Sequence, residues 1–141
     1  MGEPDPTKLN LAPSLPPEGK EKLSKRILLA DDYEPLISSL AMLLRSQGYL
    51  VDTVENGQLL LDKLAANKYD LVITDYEMPL MTGLEALLAI KADDSLKDLP
   101  IIVYSGSYEI EGKVKMIGGI FLRKGEAISE LKAVIKKVLG E

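Results

Sequence analysis

Five short apolar runs, each too brief for a helix and each followed by a stretch of a different period, constrain this chain more than any other feature. They are Ile27 to Ala30, Leu50 to Val54, Leu71 to Thr74, Ile101 to Tyr104 and Ile120 to Leu122. Such runs, rich in β-branched residues, suit strands buried on both faces. Apolar residues then recur at helical spacing: Leu36, Ile37, Leu40, Leu43 and Leu44; Leu60, Leu61, Leu64 and Ala65; Leu84, Leu87 and Leu88; and Ile128, Leu131, Ile135, Val138 and Leu139. Strands alternating with helices predict an α/β fold, a doubly wound five-stranded parallel sheet with helices on both faces.

The punctuation between the runs agrees. Pro35 suits a first helical turn, and Gly48 is placed to end that helix in a left-handed cap. Asp52 makes the second strand less apolar than the others, as at an edge. Asn56-Gly57, often a hairpin turn, precedes a helical pattern and is read as a helix start. Pro79 is expected to stop the pairing of the third strand, and Thr82 with Glu85 has the spacing of a capping box, so a helix opens near Gly83. The segment Tyr108 to Ile117, with Gly112 inside it, predicts only a short fourth helix.

The 141 residues, 46% hydrophobic and 28% charged, suffice for one folded unit, expected over residues 25–141. Residues 1–24 hold five of the eight prolines with only isolated leucines and read as a disordered proline-rich tail or linker. A net charge of -5 argues against binding nucleic acid or an anionic membrane. The sequence has no cysteine and no apolar run of membrane-spanning length, and a cytoplasmic location is expected. The absence of histidine says more. General-base, metal or phosphoryl chemistry must use carboxylates, hydroxyls and lysine, or borrow an imidazole from another molecule.

In a parallel sheet the carboxyl ends of all strands lie along one edge, where open α/β sheets bind their ligands. Here that edge gathers Asp31 and Asp32 after the first strand, Asp75 after the third, Ser105 after the fourth and Lys124 after the fifth. Singly, each has a bland reading as a solvated turn, a turn hydroxyl or a surface lysine. Their coincidence at one rim does not. Three carboxylates crowded together repel by about 4 kcal/mol per pair at ~4 Å and an effective dielectric near 20, so the cluster calls for a cation. Oxygen donors without His or Cys select a hard ion, and a site of few carboxylates suits Mg²⁺ better than Ca²⁺. A carboxylate beside such an ion and a lysine can act as a nucleophile toward phosphorus, its acyl phosphate sharing charge with Lys124 and the Ser105 hydroxyl.

From about Arg26 to Leu139 the chain resembles the response-regulator receiver domain of two-component signalling. The paired acids Asp31-Asp32, Asp75 within TDYEMPLMTG, Ser105 and Lys124 within FLRKG match the family's motif in order and spacing. The resemblance implies a flavodoxin-like three-layer sandwich of strand order 2-1-3-4-5. It implies Asp75 as phosphoacceptor, with Ser105 and Lys124 as its catalytic partners. Asp32 and Asp75 would touch Mg²⁺ directly, Asp31 mostly through water, and the backbone carbonyl of Glu77 would complete the protein ligands. Phe121 matches the family's aromatic switch residue, and it also reads simply as a core residue of the fifth strand.

The implied function is a phosphorelay switch, not an enzyme beyond its own phosphotransfer and dephosphorylation. Its donor would be a separate histidine kinase or histidine phosphotransfer protein, and its output would run through the fourth helix, fifth strand and fifth helix to a downstream protein. Three departures bear on that output. Gly125 stands where the family usually has proline, Gly106 where it has alanine, and the segment from Ser105 to Lys124 is about three residues short. The alternative is a receiver-like binding module that works without phosphorylation. A flavodoxin-type cofactor protein fits less well because Asp31-Asp32 would repel a cofactor phosphate, and an aspartate-nucleophile phosphatase would carry a D-x-D pair after the first strand.

Overall fold

The computed structural model describes residues 25–125 and 128–141. The tail expected over residues 1–24 and the side chain of Ile128 lie outside the described part. Within it the strands are β1 (Arg26–Ala30), β2 (Leu50–Val54), β3 (Leu71–Asp75), β4 (Ile101–Ser105) and β5 (Ile120–Arg123). The α-helices are α1 (Glu34–Ser46), α2 (Gly57–Ala66), α3 (Gly83–Lys91), α4 (Glu111–Ile117) and α5 (Ile128–Leu139). The strands pair in parallel in the order β2-β1-β3-β4-β5. Parallel neighbours cannot be joined by tight hairpins, so a helix crosses over between each strand and the next.

Strand alternation sorts the core into two layers. Ile27, Leu29, Leu71, Ile73, Ile102 and Tyr104 face α1 and α5, packing on Leu40, Leu44, Leu131 and Ile135. Leu28, Ala30, Val72, Ile101 and Val103 face the other way, onto Leu60, Leu64, Ala86, Leu87, Ile90 and Val114 of α2, α3 and α4. Each fully buried Leu or Ile contributes roughly 1.5–3 kcal/mol. Strands β3 and β4 are buried along their whole length, which fixes the height of the residues at their carboxyl ends. Strand β2 is the edge expected from Asp52, whose carboxylate accepts from the Tyr69 hydroxyl at 2.5 Å and from Arg26 at 2.9 Å.

The helix ends follow the local chemistry. Pro35 lies in the first turn of α1, and Gly48 beyond its end takes φ 99°. The Asn56 side chain caps α2 by accepting from the Leu59 N–H at 2.8 Å. Thr82 and Glu85 form the expected capping box at the start of α3. One detail differs from expectation. Pairing of β3 ends at Asp75, four residues before Pro79, because the chain turns there to bring α3 over the strand end. The fourth helical segment is short, as expected: a 3₁₀ turn (Tyr108–Ile110) followed by the seven-residue α4, stopped by Gly118 at φ 105°.

Candidate functional site

The register of β1, β3 and β4 builds the site. Ala30 pairs with Thr74, so one further step brings Asp31 level with Asp75, and Asp75 pairs with Tyr104. Three polar side chains therefore form a row across adjacent strands, on the face that looks toward α1 and α5. Asp31 is 1% exposed, Asp75 3% and Tyr104 7%, whereas Asp32, on the turn into α1, is exposed to solvent. Asp31, Asp32 and Asp75 each offer an oxygen within 4.8 Å of the others. This all-oxygen set, with one exposed carboxylate and two buried ones, fits a hard divalent cation that keeps part of its hydration shell, as Mg²⁺ does.

Lys124, immediately after β5, places Nζ 3.1 Å from Oδ1 of Asp75. Its backbone N–H donates to the Ser105 carbonyl at 2.7 Å, so the hydroxyl residue and the lysine are tied through the backbone. Ser105 is buried at the end of β4, and its Oγ accepts from the Ser107 N–H at 3.2 Å. Gly125 takes φ 93°, a backbone open to glycine and closed to proline. Lys124 thus reaches Asp75 from a turn of a different kind than proline would make.

Burial is the main cause that pushes the Asp75 carboxyl up to about 6, and the negative charge of Asp31 adds to it; Lys124 and the Glu77 N–H, both donating to Asp75, act against the rise. Glu77 is exposed on the loop after β3, with its N–H turned to Asp75. The loop is held close from the other side as well: a Cβ on Gly83 would overlap the Asp75 carbonyl oxygen, and the Gly83 N–H donates to Tyr76 at 2.7 Å. Only glycine lets α3 start so near the strand end.

Tyr104 belongs to the site although its residue type alone did not point there. Its hydroxyl donates to Oδ2 of Asp31 at 2.5 Å, and Nζ of Lys124 lies 5.3 Å from its ring centroid. Burial first, then the hydrogen bond and charge of Asp31, hold its phenol far above the usual range, so the hydroxyl keeps its proton. One signal was available: a phenol in a doubly buried strand requires a polar partner. Phe121, half-buried on β5, packs on the layer beneath α3 and α4 and stacks obliquely on Tyr108, with ring centroids 6.0 Å apart.

The profile of the response regulator receiver domain matches residues 27–136. The chain belongs to the response-regulator receiver family. Among curated proteins, it is 36% identical over 80 residues to the chemotaxis protein CheY of Pseudomonas aeruginosa, covering 55% of this chain and 64% of that one. It is 30% identical over 122 residues to the cell cycle transcriptional regulator CtrA of Caulobacter vibrioides, covering 82% and 52%. It is 37% identical over 91 residues to the CAI-1 autoinducer sensor kinase/phosphatase CqsS of Vibrio cholerae, covering 64% and 13%. The chain thus spans less than two thirds of the length of each.

Solved receiver structures have the same fold. The response regulator TrrA of Thermotoga maritima, in complex with Mg(2+)-BeF, superposes with a TM-score of 0.72 at 35% identity, covering 81% of this chain and 98% of that one. The chemotaxis response regulator CheY4 of Vibrio cholerae gives 0.74 at 28%, covering 82% and 98%. The flavodoxin-like order read from the sequence is therefore the observed one.

Proposed function

We propose that this receiver domain accepts a phosphoryl group on Asp75 from a phosphohistidine carried by a separate histidine kinase or histidine phosphotransfer protein. The observation that carries the proposal is the pairing of the buried Asp75 carboxylate with Lys124 at 3.1 Å beside Asp31 and Asp32. With its carboxyl at about 6, Asp75 is about nine-tenths ionised at pH 7, and so available as a nucleophile. One Asp75 oxygen forms the new P–O bond as the donor's P–N bond breaks, and the imidazole nitrogen keeps that electron pair and takes a proton from solvent. Lys124 and the Ser105 hydroxyl meet the phosphoryl oxygens. Asp31, Asp32, Asp75 and the Glu77 carbonyl would hold Mg²⁺, which supplies charge neutralisation at the transferring group. Water later hydrolyses the acyl phosphate at the same site, the only catalysis we assign to the chain.

Lys124 reaches Asp75 despite Gly125, which favours this reading over a binding module that works without phosphorylation. Output would pass by way of Phe121 to the surface of α4, β5 and α5 and from there to a downstream protein, in the cytoplasm. Among the described residues no helix is long and apolar enough to cross a membrane. Incubation with acetyl phosphate and Mg²⁺, followed by intact mass, should show one added phosphoryl group, absent without Mg²⁺ and absent in Asp75→Asn. A shift that persists in Asp75→Asn would show a different acceptor.

A further inference from the structure

The Tyr104 hydroxyl is a polar group buried against the acidic trio that the phosphotransfer proposal leaves without a task. Both oxygens of Asp31 are engaged in hydrogen bonds from the protein: Oδ1 accepts from the Tyr33 N–H at 2.9 Å and Oδ2 from Tyr104 at 2.5 Å. Asp31 is 1% exposed, so these donors stand where water would otherwise stabilise the charge. Tyr104 is itself held from two sides. Its carbonyl accepts from the Tyr76 N–H at 2.9 Å, and its ring lies in the layer that packs on α1 and α5.

We propose that Tyr104 is a positioning residue that acts through Asp31 to stabilise the metal-free acidic trio, and so weakens its affinity for a divalent cation. A hydrogen bond to a carboxylate is strongest when that carboxylate carries its full charge. A divalent cation beside the trio withdraws that charge and competes with the hydroxyl for the same oxygens. The Tyr104 bond therefore stabilises the empty trio more than the loaded one, and by linkage whatever favours the empty state lowers cation affinity. A site set this way releases its ion readily, which keeps Asp75 responsive to the free cation concentration. This inference rests on reading Asp31, Asp32 and Asp75 as a cation site.

Tyr104→Phe keeps the ring in the core and over Lys124 while deleting the hydroxyl. With the full chain and Mg²⁺ alone, titration calorimetry should give a Kd roughly three- to tenfold lower in Tyr104→Phe than in wild type. The melting temperature of the variant should be lower in chelator and return toward wild type at saturating Mg²⁺. A hydroxyl with a merely structural role would lower it equally in both conditions. In an Asp31→Asn background the gain from Tyr104→Phe should vanish, because the route through Asp31 is gone. Wild type that binds Mg²⁺ with the same Kd as Tyr104→Phe, or a gain that survives in Asp31→Asn, overturns this inference alone. Absence of Mg²⁺ binding in wild type overturns it together with the cation-site reading.

Discussion

At the scale of single residues, Asp75 carries an electrostatic consequence that falls within the working pH range. Its carboxyl releases its proton at about 6 in the folded chain against an ordinary value of 3.8, so the folded state binds the extra proton between these values. Its contribution to stability is thus complete below about pH 4 and lost as pH rises through about 6, a loss on the order of 3 kcal/mol. In chelator, urea unfolding should show wild-type stability falling across that window. Asp75→Asn should lack the fall and be the more stable protein at pH 7 by on the order of 2 kcal/mol. Parallel pH profiles for the two would refute the assignment. Asp31, Asp75 and Lys124 were legible in the sequence because Asp31 and Asp75 directly follow apolar runs and Lys124 follows one after a single residue, Arg123, and the end of a run needs no knowledge of its neighbours. Tyr104 was not. Its role depends on register, which sets a phenol on β4 beside a carboxylate 73 residues earlier in the chain, across the intervening β3.

Among the elements, α3 shows how closely the helices are fitted to the rim. Its capping box closes the first turn, and Gly83 within that turn lies directly over the Asp75 carbonyl. Gly83→Ala should therefore destabilise by about 1–3 kcal/mol, as overpacking of a rigid backbone does, despite alanine's better helix propensity. It should also slow phosphorylation, since the helix can make room only by moving away from Asp75. Chemical denaturation and the rate of acetyl phosphate labelling would measure both effects, and a stability equal to wild type would contradict the close approach. The capping box was legible because its two residues lie within one turn, whereas the contact of Gly83 with Asp75 depends on a turn whose shape no motif specifies. For the same reason Pro79 was a poor guide to where pairing stops, although the apolar run already marked the end of β3: a proline marks where pairing cannot continue, while the demand of α3 for space ends it earlier, at Asp75.

For the molecule as a whole, the question is how a phosphoryl charge on Asp75, the acceptor we propose, would reach the surface of α4, β5 and α5. An acyl phosphate adds about -1.5 to -2 of charge, and Ser105 and Lys124 can meet it only if the loops that carry them draw inward. Those loops are already one mechanical unit, because the Lys124 N–H is bonded to the Ser105 carbonyl. Three residues after Ser105, Tyr108 rests on Phe121, with the Arg123 guanidinium 4.8 Å from the Tyr108 ring centroid. On our proposal an inward pull on Ser105 would therefore shift an aromatic contact between the 3₁₀ turn and β5. The segment in between is weakly held. A seven-residue α4 is far shorter than the ~12–15 residues an isolated helix needs, Gly112 adds no side chain, and the segment buries only Val114 of α4 and, less completely, Ile110 of the 3₁₀ turn. Such a segment opens at the low end of a domain's local stabilities. Residues 107–119 should accordingly exchange amide hydrogens faster than β3 and β4 before phosphorylation and slow down after it. Hydrogen exchange on acetyl phosphate-treated protein, with occupancy at Asp75 verified by mass, measures this. Unchanged protection from Ser105 to Lys124 at full occupancy would mean that the signal leaves the site by another route.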